Sequence, residues 1–582
     1  MKNRFNIILI AALLCCSFIQ FSCNDEYLTK EPPGVAAGSV LLSQSGAEAL
    51  LVGAYSTLQG VGRFGGDPAT DWTYGSGASD EAYKGSSAGD QTNYNAVERF
   101  ECLPSNAYMA ERWRDCYNGV ARANQVLVFL KATQAGSTPI PEARAKTIEA
   151  EAKFLRAWFH FKANMVFRNI PYVKTPDELS GMKPEEVPNT DAGWAGIEAD
   201  LQFAIDNLGA TPNNNEPGRA TKYAAMAVKS NALLHQKKYA DAKTLLDGII
   251  NSGKYSLVAN YFDNYNETTE NNKESIFEIQ AQTTGTNQSA MLVAGPSMHQ
   301  AGPAAIGWGF YQPSEVLFES FQVTPDGLPV LDIDKREPLA NDMKVLSNAE
   351  FHPTDHLLDP RVDWTISRRG IDYLGWGICT GSAWIREQAN GGPYMTKKYM
   401  HLYANRGLQT NGSGFDNNRN FRAYRLAHIL LMRAECAIQD NDLEMARTLI
   451  NQIRTRAKGS QVVMGLCSTY TFDGKPVVVD YTKPAANYKI EPYSAPFASK
   501  EEATKAVQME WTLEFATEGW RFFNLRRWGN ISTVLNDYIA RDTKFRTFLT
   551  GAKFIAPKNE YWPVPQAQLD IQKSLTQDPN HK

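Results

Sequence analysis

Two segments of this chain, 204 positions apart, carry the same helical pattern: Ala242-Lys243-Thr244-Leu245-Leu246 and Ala446-Arg447-Thr448-Leu449-Ile450. Each follows another apolar run of helical period, 222–236 and 421–438, across a short polar turn. Apolar side chains every three or four positions give a helix one stripe to bury, and small residues at the contact let two helices approach closely. Neither helix of such a pair buries its stripe alone, so the pattern demands further hairpins stacked against it. Residues 46–58, 109–131, 141–168 and 191–208 have the same period and are rich in Ala, Leu and Glu.

The expected fold is therefore mainly α, a tetratricopeptide-like scaffold of helical hairpins occupying chiefly 40–58, 109–270, 421–458 and 500–540. Between these segments the helical period fails. Residues 60–108 are crowded with Gly, Ser, Asp, Asn and Tyr. The stretch 280–420 carries Gly307-Trp308-Gly309-Phe310-Tyr311, then Asp359-Pro360-Arg361, then Tyr373, Trp376, Trp384 and Tyr394 among glycines. Loops this long inside a compact fold are functional or disordered, and their aromatic content argues against disorder. The length of 582 residues suggests about four domain-sized units on a size prior. The interleaving of helices and loops reads instead as a single domain over 23–582.

Residues 1–22 read as a removable leader. Lys2 and Arg4 precede an apolar run from Ile7 to Ile19, too short to span a bilayer but suited to a signal peptide. The run ends at Gln20-Phe21-Ser22-Cys23, a small residue directly before a cysteine, as in a bacterial lipobox, although Gln20 stands where Leu is usual. Cys23 is the expected lipid-bearing N-terminus, tethering the protein without spanning the membrane. Plain secretion with cleavage near Ser22 is the alternative. Asn24-Asp25-Glu26 and Glu31-Pro32-Pro33 then read as a polar, proline-stiffened stalk.

Five cysteines remain beyond Cys15, Cys16 and Cys23, and no C-x-x-C pair occurs, so neither a disulfide framework nor a zinc ribbon is indicated. Whether Cys102 and Cys116 pair is left open by their spacing. Cys436 lies in an apolar helical run and reads as a small buried hydrophobe. A formal charge of −4 lacks the Lys/Arg excess that gripping phosphates requires, so nucleic acid is not an expected partner.

Several segments resemble the SusD/RagB-type outer-membrane nutrient-binding lipoproteins. EAKFLRAWFHFKANMVFRNIPYV, Glu151 to Val173, is similar to that family's long helix and Ile-Pro turn. Gly218 to Leu257 resembles its central hairpin. ESIFEIQ (Glu274–Gln280), DPR (Asp359–Arg361) and YRLAHILLMRAECA (Tyr424–Ala437) follow in family order. LEFATEGWRFFNLRRWG, Leu513 to Gly529, is the most specific piece, and the tail from Tyr561 to His581 also fits. Met509-Glu510-Trp511 departs from a more Arg-rich run. The resemblance spans nearly the whole mature chain. It implies a lipid-anchored subunit on the outer face of the outer membrane, with Asp25 and Glu26 matching the acidic signal for surface display. Such a subunit captures an oligosaccharide or polysaccharide and passes it to a SusC-like TonB-dependent transporter, without cleaving it and without a cofactor.

Sugar binding also has a physical basis in this sequence. A pyranose offers an apolar C–H face to an aromatic ring and a rim of hydroxyls to Asp, Asn and Arg. The chain holds 27 Phe, 25 Tyr and 12 Trp, enough to fill a core and leave rings over. Two stretches, 71–83 and 373–386 with Arg386, have the right composition, and the resemblance implies ligand contacts in these same regions. The candidate contacts are Trp72, Tyr74, Asp80, Tyr83, Tyr373 and Trp376, followed by Trp308 and Trp384. For each ring the competing role is core packing.

Catalytic readings are weaker. Glu514 and Glu518 are four apart in a helical segment, and paired carboxylates serve glycoside hydrolysis. Arg521, Arg526 and Arg527 follow at once, and an ion-pair network accounts for the acids more simply. His352, Asp355 and His356 have a loose metal-like spacing broken by Pro353, and Asp332 with Asp334 falls short of a calcium loop. No protease, P-loop or dinucleotide fingerprint occurs. The expectation is a non-enzymatic glycan binder without catalytic or metal-ligating residues. An α-helical glycoside hydrolase using Glu514 or Glu518, a binder of another nutrient such as peptide, and an adaptor binding only protein are the alternatives.

Overall fold

A computed structural model describes residues 42–60, 66, 69–281, 302–303, 307–398, 400–408 and 419–582. The leader, Cys23 and the stalk lie outside the described residues.

The helices follow the sequence period and begin where capping side chains stand. α1 (Gln44–Tyr55) starts after Ser43, whose hydroxyl accepts the Gly46 N–H. α2 (Ala107–Gln134) is capped by Asn106, which accepts the Tyr108 N–H at 2.9 Å. α3 (Glu142–Phe167), α4 (Trp194–Asn207), α5 (Lys222–His235) and α6 (Tyr239–Ile250) follow. α7 (Leu426–Gln439) and α8 (Leu443–Gly459) form the later hairpin, with the Asp442 carboxylate accepting the Met445 N–H at the start of α8. Each such cap satisfies an otherwise orphaned N–H and contributes about 1 kcal/mol.

Each of α2 to α8 packs against the next. The two similar hairpins, α5/α6 and α7/α8, therefore stack directly on one another through α6 and α7. Asp247 of α6 pairs with Arg433 of α7 at 2.6 Å, and Lys243 reaches Asp440 at 2.6 Å across the same seam. α3 lies centrally and is buried on every face from Phe154 to Phe167. Its approach to α2 is close enough that a Cβ at Gly119 would sit 2.3 Å from the Phe159 ring.

Strands are short and paired in antiparallel ribbons: β1 (Ala82–Gly85) with β3 (Phe310–Pro313), β2 (Ser275–Ile279) with β6 (Phe421–Arg425), β4 (Ile366–Ser367) with β5 (Met395–Thr396), and β7 (Met464–Cys467) with β8 (Val479–Pro484). The expected helix over 421–438 thus begins only at Leu426. Residues 421–425 are a strand because they pair with 275–279, and Tyr424 and Phe277 of this β2/β6 ribbon both meet Trp158 of α3 edge-on.

The expected helical run 500–540 is broken into α9 (Lys500–Phe515), α10 (Arg521–Trp528) and α11 (Ile531–Asp542). Thr517 and Gly519 adopt positive φ, 63° and 81°, which ends α9 and turns the chain. Backbone meets backbone at this turn. A Cβ on Gly519 would lie 2.0 Å from the Thr70 carbonyl oxygen, and one on Gly75 would lie 1.8 Å from the Gly519 oxygen. The segment 69–85 is therefore clamped against the scaffold rather than draped over it.

All five cysteines among the described residues are free thiols, so Cys102 and Cys116 do not pair. Among these residues no helix is long and apolar enough to cross a membrane.

Candidate ligand-binding site

Five of the eight candidate contacts are interior. Trp72 and Tyr74 lie in a single wide helical turn, Trp72–Ser76, and are almost fully enclosed. Trp72 meets Tyr311 edge-on at 5.0 Å, and Tyr74 meets Trp562 at 5.1 Å while its hydroxyl donates to the Tyr108 carbonyl at 2.8 Å. Asp80 is buried, with both carboxylate oxygens accepting from Arg521 at 2.8 Å. The ring of Tyr83 lies beneath the Arg546 guanidinium at 3.5 Å, and its hydroxyl accepts the Glu315 N–H. Tyr373 is fully buried and donates to the Thr396 carbonyl at 2.7 Å. The rings, and the polar groups of Tyr74, Asp80, Tyr83 and Tyr373, are engaged within the protein, so these side chains hold the loop regions onto the helices.

The other three, Trp308, Trp376 and Trp384, are only half-buried. Trp376 crowns a tight reversal in which Asp372 faces Ile378 and the Asp372 carboxylate accepts the Gly375 N–H at 2.8 Å. Its indole N–H donates to the His401 carbonyl at 2.8 Å, fixing the ring while leaving one side open. Tyr403, 42% exposed, stands edge-on to it at 5.1 Å, and the Arg406 guanidinium lies over the Tyr403 ring at 3.9 Å. Trp384 borders the other side of the same turn, where a Cβ on Gly377 would come within 3.9 Å of its ring. Trp376, Tyr403 and Trp384 thus flank the Gly375–Gly377 turn, the Trp376 ring being fixed by its bond to a backbone carbonyl.

Arg386 connects the two loop regions. Its guanidinium lies 5.7 Å from the Trp308 ring and donates to Asp90 and Ser86 at 2.7 Å each. Tyr403 and Arg406 were not among the sequence candidates. The run Tyr403-Ala404-Asn405-Arg406 has the same ring, amide and guanidinium composition, and that was the signal available. Chemically, rings of this kind can cover the C–H face of a sugar, and an exposed guanidinium such as that of Arg406 can donate to hydroxyls at its edge.

The carboxylates suited to hydrolysis are locked away. Glu514 is buried and accepts from Arg361 at 3.0 Å, Arg425 at 2.5 Å and also Arg456. Burial alone would raise its pKa, but the guanidinium groups of Arg456, Arg425 and Arg361 outweigh it and hold the carboxyl well below the usual range. Glu518 lies beyond the end of α9, not on its face. It accepts from Lys398 at 2.8 Å, Tyr265 at 2.5 Å and Arg425 at 3.3 Å. An ion-pair network does hold these acids, but with partners other than those expected. Arg521 turns to Asp80, Arg527 to Glu435, and Arg526 to the carbonyls of Met165 and Glu560. The network also includes Asp359, which grips Arg361, and Glu510, shared by Arg361 and Arg454.

His352 and His356 diverge, toward Glu350 and Glu337 respectively. Asp332 and Asp334 pair with lysines and with Arg541. Among the described residues no group of three or more His, Cys, Asp or Glu is arranged to hold a metal ion.

Two family models match the chain: one described as the SusD family over residues 273–581, and one described as starch-binding associating with outer membrane over residues 26–234. SusD-like protein P25 of Formosa agariphila is 24% identical over 590 aligned positions, covering 99% of this chain and 98% of that protein. A SusD superfamily protein from Bacteroides vulgatus shares the fold at a TM-score of 0.68 and 21% identity, covering 93% of this chain and 99% of that one. Surface glycan-binding protein A from Bacteroides thetaiotaomicron, solved in complex with laminarihexaose, superposes with a TM-score of 0.63 at 20% identity, over 93% of this chain and all of that one.

Proposed function

The chain belongs to the SusD family, and from that premise we propose that it is a non-enzymatic glycan-binding lipoprotein of the outer membrane. It captures an oligosaccharide at the cell surface and delivers it to a SusC-like TonB-dependent transporter, tethered by lipid on Cys23. The observation that carries the reading is the half-exposed group of Trp376, Tyr403 and Trp384 around the Gly375–Gly377 turn. A flat face requires rings oriented before the ligand arrives, and the bond from the Trp376 indole N–H to the His401 carbonyl holds that ring in place. Trp308 with Arg386 extends the same use of rings and guanidinium toward 86–90. The engagement of Glu514 and Glu518 in buried ion pairs weighs against the hydrolase alternative.

Calorimetry of the mature protein against plant, host and microbial glycans tests this reading. At least one glycan binds, and Trp376→Ala and Trp384→Ala each weaken it about tenfold, the scale of one lost stacking contact. Normal binding by both variants means the ligand sits elsewhere. New reducing ends in the same mixtures overturn the non-enzymatic reading. Cys23→Ser should release the protein from the outer membrane, and the lipidated protein should co-purify with a barrel transporter.

A further inference from the structure

A separate cavity of about 550 Å³ lies between residues 331–336 and helices α9 to α11. Its floor is apolar, formed by Val316, Leu331, Met509, Leu525 and Val534, and its rim is charged. Trp376, Tyr403, Trp384 and Trp308 take no part in it. The volume falls in the range of small-ligand sites.

Four carboxylates and four cations line this cavity, but they do not pair one to one. Each carboxylate in its wall is already held: Asp80 by Arg521, Asp332 by Lys335 and Lys505, and Asp334 and Asp537 by Arg541. Arg336 is the exception. Among the described residues no carboxylate lies within ion-pair distance of it, and its recorded bonds go to neutral acceptors, the Val330 carbonyl at 3.3 Å and the Ser320 hydroxyl at 2.8 Å. Glu319, on the short helix Glu315–Ser320, and Asp80 act on it only from beyond ion-pair range, and burial pushes Glu319's own carboxyl up. A guanidinium stays charged at any physiological pH, and a desolvated charge without a counter-ion is costly. Burial and the nearby Arg521 cation accordingly push the Arg336 pKa down, to about 10.

We propose that this cavity binds an anionic saccharide unit, with Arg336 receiving its oxyanion. Two sources share that chemistry, the carboxylate of a uronic acid and a sulfate ester. Gln508, Asn530 and Thr533 line the same cavity and present amide and hydroxyl groups to the sugar ring. The inference rests on the glycan-binding reading and narrows its ligand class to chains carrying negative charge.

The experiment compares matched pairs on the mature protein by calorimetry. One pair is a uronate-containing oligosaccharide and its carboxyl-reduced counterpart; the other is a sulfated galactan oligosaccharide and its desulfated counterpart. The charged member of at least one pair binds about tenfold or more tightly, as one charge-assisted contact provides. That preference disappears in Arg336→Gln, survives in part in Arg336→Lys, and is unaffected by Trp376→Ala. Equal affinity for both members of each pair overturns the proposal without any variant, so misfolding of Arg336→Gln leaves the test intact. A preference that persists in folded Arg336→Gln also overturns it. Tight neutral binding lost in Trp376→Ala, with no charge preference, refutes this inference and leaves the glycan-binding reading standing. Absence of binding to every glycan refutes both.

Discussion

The two ring-rich loop regions have nearly the same composition and opposite surroundings. Residues 69–85 are pressed between α2, the β3 strand and the turn at Gly519, with backbone touching backbone. Their rings are enclosed on all sides, and the hydroxyls of Tyr74 and Tyr83 are engaged within the protein. Residues 371–408 contain buried Tyr373 but also the glycine turn at 375–377, which lifts Trp376 to the surface beside Tyr403. The same side chains thus glue one region to the scaffold and form a presentable face in the other. What separates them is whether a packed element covers the ring.

The comparison breaks or sharpens under mutation, and the largest effect belongs to the buried ion-pair network around Glu514. Glu514→Gln should lower stability to denaturant by about 3 kcal/mol, because Arg361, Arg425 and Arg456 each lose a buried carboxylate partner. Folded Glu514→Gln should still bind glycan, and cleavage products formed by the wild type but not by the folded, still-binding variant would revive the hydrolase alternative. Since the folded pKa of Glu514 is depressed, its contribution is complete above the unfolded carboxylate value near ~4.3 and fades as pH falls below that. The gap in stability between wild type and Glu514→Gln should therefore be full at neutral pH and narrow in acid denaturation curves.

Trp72→Ala and Tyr74→Ala are of comparable size. Each opens a cavity among enclosed rings and should cost about 3 kcal/mol in denaturant unfolding, with glycan affinity of the folded fraction unchanged. Weakened glycan binding without lost stability would place the ligand in the first region and invert the comparison. Trp376→Ala should do the opposite, reducing affinity about tenfold while moving the unfolding midpoint little. Arg406→Gln should have the smallest effect, a loss of affinity of a fewfold, because an exposed guanidinium contributes under about 1 kcal/mol. An unchanged Kd for Arg406→Gln beside a weakened Trp376→Ala would assign recognition to ring stacking alone.

Much of the scaffold was legible in the chain itself. Helical period located α1 to α6, and the likeness of 242–246 to 446–450 marked two hairpins, which the structure shows stacked on each other. The leader and the lipid-bearing Cys23 are expectations from local order, a basic start, an apolar run and a small residue before the cysteine, and they lie outside the described residues. Local signals sufficed for the helices because a helix and its cap are closed within a few residues.

Tertiary structure alone decided the rest. No spacing distinguishes Tyr74 from Tyr403, since burial depends on what packs above a ring from elsewhere in the chain. The strand at 421–425 likewise exists because residues 275–279 lie beside it and Trp158 beneath it. Arg336 is one of many arginines in the sequence, and its lack of a carboxylate partner emerges only when Asp80, Asp332, Asp334 and Asp537 are each seen to be held by another cation. Charge balance and ring exposure depend on distances between segments far apart in the chain, and the order of residues does not encode those distances.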